Sequence, residues 1–175
     1  MASPFIVPLI FVLALLVMFD GGRPFYSQLR VGRGGRTYRM WKLRSMVVDA
    51  DDRLRSRLET DPAARDEWDR TQKLRNDPRV TPFGRFLRAC SMDELPQLWN
   101  VLRGDMSLIG PRPMLPEQQE IYPGSAYYRM RPGLTGLWQI SARNSSSFAA
   151  RAAYDDLYEQ QFSMAQDISC LLYTS

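Results

Sequence analysis

Sixteen consecutive apolar residues, Pro4 to Phe19 (PFIVPLIFVLALLVMF), constrain this chain more than any other stretch. As a helix the run would reach about 24 Å at 1.5 Å per residue, short of the roughly 30 Å hydrocarbon core of a bilayer. A full span is therefore not expected. A cleavable signal peptide fits poorly, because MASP supplies no basic residue and DGGRP offers no small-x-small cleavage site. A buried core helix, apolar on every face and with Pro8 inside it, would need protein on all sides from a chain of 175 residues. Residues 1–20 thus predict a helix inserted to partial depth in a membrane.

The next segment sharpens that expectation. From Gly21 to Val48 the chain carries Arg23, Arg30, Arg33, Arg36, Arg39, Lys42 and Arg44 and no acid. A polybasic stretch beside an apolar segment is attracted to anionic lipid by about 1 kcal/mol per cation, and the positive-inside rule places it in the cytoplasm. The alternative is a solvated basic hairpin with no partner. FYSQLRVGR and TYRMWKL are strand-like runs around Gly34-Gly35, a turn pair suited to a tight hairpin.

Composition removes several chemistries. There is no histidine, which excludes Ser-His-Asp and Cys-His nucleophiles, His-ligated zinc and imidazole acid-base work. Cys90 and Cys170 are too few for a metal cluster or a disulfide framework. A net charge of +4 points toward an anionic partner, and 45% apolar residues suffice for one hydrophobic core. Chemistry here has to run on carboxylates, cations or metals.

Asp49 to Asp77 is dense in both charge signs and broken at Asp61-Pro62, which predicts two short solvent-facing helices, an insertion on the surface. Thr81-Pro82 opens a further helix with a capping threonine and a first-position proline, running through FGRFLRAC. QLWNVLRGDM is a plausible short helix, GPRP and RPGLTG read as loops, and Phe148 to Phe162 is amphipathic. The last residues, CLLYTS, look wrong for a helix still under way at Met164 to Ile168, so 169–175 is expected to be a non-native tail on a gene fragment. The fold class expected is α+β and mostly helical, a compact cytosolic domain (21–168, insertion 49–77) with a small basic β-hairpin and the N-terminal apolar helix.

The sharpest local feature is Ser91-Met92-Asp93-Glu94-Leu95-Pro96. Proline is tolerated in a helix's first turn, which sets the acid pair near a helix N-terminus, where the macrodipole keeps Asp93 ionised and nucleophilic. Ser91-x-x-Glu94 also spells a capping box, and spacing alone favours that structural reading. The surroundings shift the balance. Cations and glycines in GRFLR, GDMSLIGPRP and RPGLTGLWQ flank the pair, and phosphoryl transfer uses arginine forks for phosphate oxygens while carboxylates hold Mg²⁺ or attack phosphorus. Arg112, set between Pro111 and Pro113, is pre-organised, although a surface-turn arginine accounts for it as well. Gly133 and Gly136 could let backbone approach a ligand. Cys90, beside the pair, is expected to be a small buried thiol.

These motifs together make the chain recognisable. GRFLRACSMDELPQLWNVLRGDMSLIGPRP followed by RPGLTGLWQISARN, with QLRVGRGGRTYRMWKLRSM upstream, closely resembles the bacterial polyprenyl-phosphate hexose-1-phosphate transferases, the monotopic phosphoglycosyl transferases. The resemblance covers roughly Ser3 to Ile168. It implies a two-step reaction at the cytoplasmic face of the bacterial inner membrane. An aspartate attacks the β-phosphate of a UDP-sugar, releases UMP and holds a covalent sugar-phosphate, which polyprenyl (undecaprenyl) phosphate then takes. Carried onto this chain, Asp93 is the nucleophile, Glu94 the Mg²⁺ ligand or the group that readies the acceptor, and Asp93 a further metal ligand. Arg88, Pro111, Arg112, Pro113, Arg131, Gln139 and Arg143 would form the substrate and phosphate site.

The chain also departs from that pattern. Ser3-Pro4 matches the break of a re-entrant helix whose first half is missing, and Ser141-Ala142-Arg143 replaces Ser-Gly-Arg. The charged insertion resembles members of exopolysaccharide assembly, implying galactose or glucose. The competing expectation is a catalytically inactive membrane-surface scaffold that binds anionic lipid and recruits glycan-assembly enzymes. Nucleic-acid binding is disfavoured, since aromatic interleaving in the basic hairpin is sparse.

Overall fold

The apolar run forms a helix, α1 (Ser3–Met18), but only one edge of it is covered. Leu13, Ala14 and Val17 turn onto Leu43 and Leu87, while Phe5, Val7, Phe11, Leu15 and Phe19 remain exposed. The computed structural model describes residues 3–71, 74–141 and 148–172, and among them no helix is long and apolar enough to cross a membrane. The expected hairpin follows as β1 (Phe25–Val31) and β2 (Thr37–Leu43), paired in a two-stranded sheet and joined through a 3-10 turn at Arg33–Gly35, where Gly34 takes φ 69°. After α2 (Ala50–Thr60) and α3 (Pro62–Thr71) come α4 (Pro82–Ala89), α5 (Gln97–Arg103) and the three-residue strand β3 (Ser107–Ile109). A six-residue 3-10 segment (Pro116–Ile121) leads to α6 (Ala126–Arg129), β4 (Gly133–Thr135), α7 (Leu137–Ser141), α8 (Arg151–Gln161) and α9 (Met164–Leu172). The architecture is mostly helical, as expected, with two small sheets, of which only the hairpin was anticipated.

Two compact units divide the chain, Met1–Tyr26 with Lys42–Pro96 and Ser27–Trp41 with Gln97–Ser175. In the first, the α1 edge, Leu43 and Leu87 gather Phe83, Met92 and Leu95 around them. Arg44 Nη2 donates to the Val17 carbonyl at 3.1 Å, meeting one of the acceptors that a helix end leaves open. The α4 cap forms as expected, with Gly84 N donating to Thr81 Oγ1 at 2.9 Å and Pro82 at the first helical position. The Asp61-Pro62 break is explained by the same logic. Asp61 ends α2, and its Oδ1 accepts from the backbone N–H groups of Ala63 and Ala64 at 3.0 and 3.1 Å to start α3.

The second unit holds two apolar clusters. Val31, Met114, Tyr122, Tyr127 and Ala152 form one, with the rings of Tyr122, Tyr127, Tyr128 and Phe148 meeting edge to face. Tyr127 Oη donates to the Val31 carbonyl at 2.6 Å and accepts from Met114 N at 3.2 Å. The other cluster is Ile109, Tyr158 and Cys170 with Met130, Leu137 and Ile140. There α9 continues through Leu172 and buries Cys170 completely, so the helix does not fail at the start of CLLYTS as its composition suggests. Tertiary burial of one side of α9 overrides that local signal.

GPRP is the loop expected, but RPGLTG contains a strand. Ser107 pairs with Gly133 and Ile109 with Thr135 in a parallel β3–β4 pair. A Cβ on Gly133 would lie 2.2 Å from Gly110 N, and one on Gly136 2.1 Å from Gly110 O. These glycines therefore serve close approach of the chain to itself, not the backbone-to-ligand approach expected of them.

Within the first aromatic cluster, Tyr122 Oη donates to Asp155 Oδ2 at 2.7 Å. Burial pushes the Asp155 carboxyl up to about 6, against the pull of that hydrogen bond and of Arg151. Its folded pKa lies above the ordinary carboxylate value, so the native state binds this proton more tightly than the unfolded chain does. The resulting stability is present in acid and lost as pH rises through about 6. Urea unfolding from about pH 4 to above pH 6 should show wild type losing about 3 kcal/mol relative to Asp155→Asn. Parallel profiles for the two proteins would mean that Asp155 is equally acidic folded and unfolded.

Candidate active site

In the first unit α4 ends at Ala89, and the chain passes through Ser91 into a 3-10 turn, Met92–Glu94, that carries the acid pair. Ser91 takes φ 54°, the only positive φ at a non-glycine among the described residues, and makes no capping hydrogen bond. The capping box is thus not formed, and α5 starts only at Gln97, beyond Pro96. A left-handed serine is uncommon and persists where its surroundings hold it. Here Met92 and Leu95 pack onto the Leu87 cluster on either side of the acids.

That packing submerges Asp93, which is 8% exposed. Burial is the largest influence on its carboxyl and pushes its pKa above the usual range; Lys42 and Arg88 pull it down, and Glu94 pushes it up. The helix-end argument predicted the opposite direction. It fails because the acids precede α5 and because loss of water outweighs the nearby cations. A carboxylate stripped of water is more basic and a better nucleophile once ionised. Glu94 Oε1 accepts from Lys42 Nζ at 2.7 Å, and Arg88 Nε donates to the buried Ser45 Oγ at 2.8 Å. Cys90, expected to be buried, is exposed, because α4 turns its last residues outward.

Among the described residues there is no group of three or more Cys, Asp or Glu side chains that could hold a metal. The pair Asp93–Glu94 nevertheless offers the hard oxygen donors that Mg²⁺ takes, an ion that binds through one or two carboxylates with substrate phosphates completing its shell.

The second unit carries Pro111, Arg112, Pro113, Arg131 and Gln139. Arg112 lies 5.8 Å from the centre of the Trp138 ring, and Arg151 lies 4.3 Å from the same ring and 4.8 Å from Phe148. Arg30 Nη1 reaches the Pro113 carbonyl at 3.4 Å. Burial, then the charges of Arg112 and Arg30, lower the Arg151 pKa. Both polar atoms of the Gln139 amide and the Arg151 Nε are buried without a hydrogen-bond partner. Clustered cations and an open amide are what a phosphorylated, hydroxyl-bearing ligand satisfies. Arg131 instead lines a cavity with the hairpin turn. Arg143, with Ala142, lies outside the described residues.

Sequence reasoning singled out the acids, Arg88 and Arg112 but not Lys42, which pairs with Glu94, nor Trp138 and Arg151, which gather beside Arg112. Lys42 stood in a uniformly basic stretch, 52 positions from Glu94, with nothing local to single it out.

The family described as bacterial sugar transferase matches residues 1–175. The chain is 48% identical, over 97% of its length, to the UDP-galactose-lipid carrier transferase of Erwinia amylovora, of which it covers 36%. It is 46% identical over 93% of its length to the exopolysaccharide production protein ExoY of Sinorhizobium fredii, covering 73% of that protein. To the undecaprenyl-phosphate galactose phosphotransferase of Salmonella typhimurium it is 46% identical over 96% of its length, covering 36% of it. The chain thus spans little more than a third of two of these relatives.

Because the Lys42 ammonium favours the ionised form of Asp93, replacing it should move that carboxyl further up. Carboxyl ¹³C shifts of Asp93, followed from acid to neutral pH, should show a higher midpoint in Lys42→Met than in wild type. An unmoved midpoint would mean that Lys42 serves Glu94 alone.

Proposed function

The chain belongs to the bacterial sugar transferase family, and from that premise we propose that it moves a hexose-1-phosphate from a UDP-sugar to polyprenyl phosphate through a covalent intermediate on Asp93. The observation that carries this reading is a nucleophile-type residue, Asp93, held out of water beside a lysine-paired glutamate and a positioned arginine. In the first step an Asp93 oxygen bonds to the β-phosphorus, the bond from that phosphorus to the bridging oxygen breaks, and UMP leaves with the electron pair. In the second, an oxygen of polyprenyl phosphate bonds to the same phosphorus, the Asp93–phosphorus bond breaks, and the carboxylate is restored. Splitting one displacement into two lets a carboxylate do the work of a base that this histidine-free chain lacks.

Mg²⁺ bound through Asp93 and Glu94 oxygens would supply neutralisation of diphosphate charge. Lys42 holds Glu94 in place through its ion pair and would add a positive charge where the diphosphate is cleaved. Arg88, fixed through Ser45, offers its remaining N–H groups to phosphate oxygens. In the second unit Arg112 and Arg151 would bind phosphate oxygens.

The exposed apolar face of α1 supports partial insertion at the cytoplasmic face of the inner membrane, where a soluble anionic donor meets a lipid acceptor. Galactose, named in two of the relatives, or glucose is the proposed sugar, and exopolysaccharide assembly the proposed setting.

Incubating the detergent-solubilised protein with Mg²⁺ and each common UDP-sugar, without acceptor lipid, should leave a sugar-phosphate on the Asp93 peptide for one donor, read by mass spectrometry. Asp93→Asn should give neither adduct nor UMP. UMP release by wild type with no adduct on Asp93 would refute the covalent route, and absence of both would favour a membrane-surface scaffold.

A further inference from the structure

The second unit contains a cavity of about 870 Å³, within the size range of small-molecule sites, that the acid pair does not line. The hairpin turn and the start of β2 bring Arg33, Arg36 and Tyr38 to it, the end of α6 brings Tyr128 and Arg129, and Arg131 follows. Four guanidinium groups face one carboxylate, Asp105. Arg129 is held by Glu159, but Arg33, Arg36 and Arg131 are in no ion pair among the described residues. Three unneutralised cations around one hollow repel one another, and an anion that bridges them removes that repulsion.

The rest of the lining narrows the ligand class. Tyr38 and Tyr128 present aromatic surface, and the Tyr38 hydroxyl is buried without a hydrogen-bond partner. Asp105, whose Oδ2 accepts from Asn100 Nδ2 at 3.2 Å and lies 3.7 Å from Arg103 Nε, is wrong for a bare phosphate, but its other oxygen can accept from a base N–H or a ribose hydroxyl. We propose that this cavity binds a nucleoside phosphate, with its phosphate oxygens on Arg33, Arg36 and Arg131 and its base against Tyr38 and Tyr128. The choice of uridine rests on the donor proposed above; the class of ligand does not. A lipid phosphate would instead place its chain in the adjoining 450 Å³ cavity lined by Ile109, Met130 and Phe162, where nothing engages Tyr38 or Asp105.

Calorimetric titration of the detergent-solubilised full chain with UMP, uridine and inorganic phosphate tests this. UMP should bind best, and Arg36→Ala and Arg131→Ala should each weaken it about tenfold, the cost of one charge-assisted hydrogen bond. Arg55→Ala on α2, which removes the same charge elsewhere, should change nothing, and Arg36→Lys should keep part of the affinity. Thermal melts of each variant report folding separately. UMP affinity unchanged in both alanine variants overturns the site, as does inorganic phosphate binding as tightly as UMP. So does an arginine-dependent affinity for phosphatidylglycerol vesicles with UMP unaffected. The Asp93 adduct is read independently: UMP binding without an adduct leaves this site standing while the transfer reaction fails, and an adduct without arginine-dependent UMP binding does the reverse.

Discussion

Excluding water from one carboxylate is the constraint on which the first unit depends. Asp93 sits on a three-residue turn, too short to fix its own environment, and is submerged because Met92 and Leu95 anchor in the cluster of Leu13, Val17, Leu43 and Leu87. The cost of that burial appears as a raised pKa, and the two cations that oppose it come from β2 and α4. Ser91 in its left-handed conformation is the local expression of the same demand. Met92 and Leu95, which flank the acids, are packed in the cluster, and that packing holds Ser91 in place.

The second unit solves a different problem, how to hold several cations close together. Trp138 does part of this, taking the guanidinium groups of Arg112 and Arg151 against its ring. Asp155 offsets some of the charge but is itself pushed toward its neutral form, so it neutralises little as pH falls. A surplus of positive charge results at the Trp138 ring and again around the hairpin turn. Surfaces of that kind suit phosphorylated ligands far better than neutral ones.

Much of this was legible in the amino-acid order, and the failures share a cause. The hairpin, the paired surface helices and the α4 cap rest on contacts within a few residues, such as Thr81 with Gly84 or Asp61 with Ala63 and Ala64. β3 and β4 escaped notice because three-residue strands have no periodicity, and their glycines resemble a ligand-binding loop until the partner backbone is seen. The capping-box motif at Ser91 and Glu94 misled for the converse reason. The residue types were right, but Glu94 was committed to a lysine 52 positions earlier.

Sequence by itself determined the family and removed histidine-based chemistry, since the order of several motifs and the absence of histidine do not depend on how the chain packs. It also determined that the sixteen apolar residues Pro4 to Phe19 fall short of the thickness of a hydrocarbon core, a matter of counting residues. Only the tertiary structure decided the electrostatic state of Asp93, the pairing of Glu94 with Lys42 and the gathering of arginines at the hairpin turn. The free energy of a charge depends on which atoms surround it in space, and here those atoms come from segments far apart along the chain.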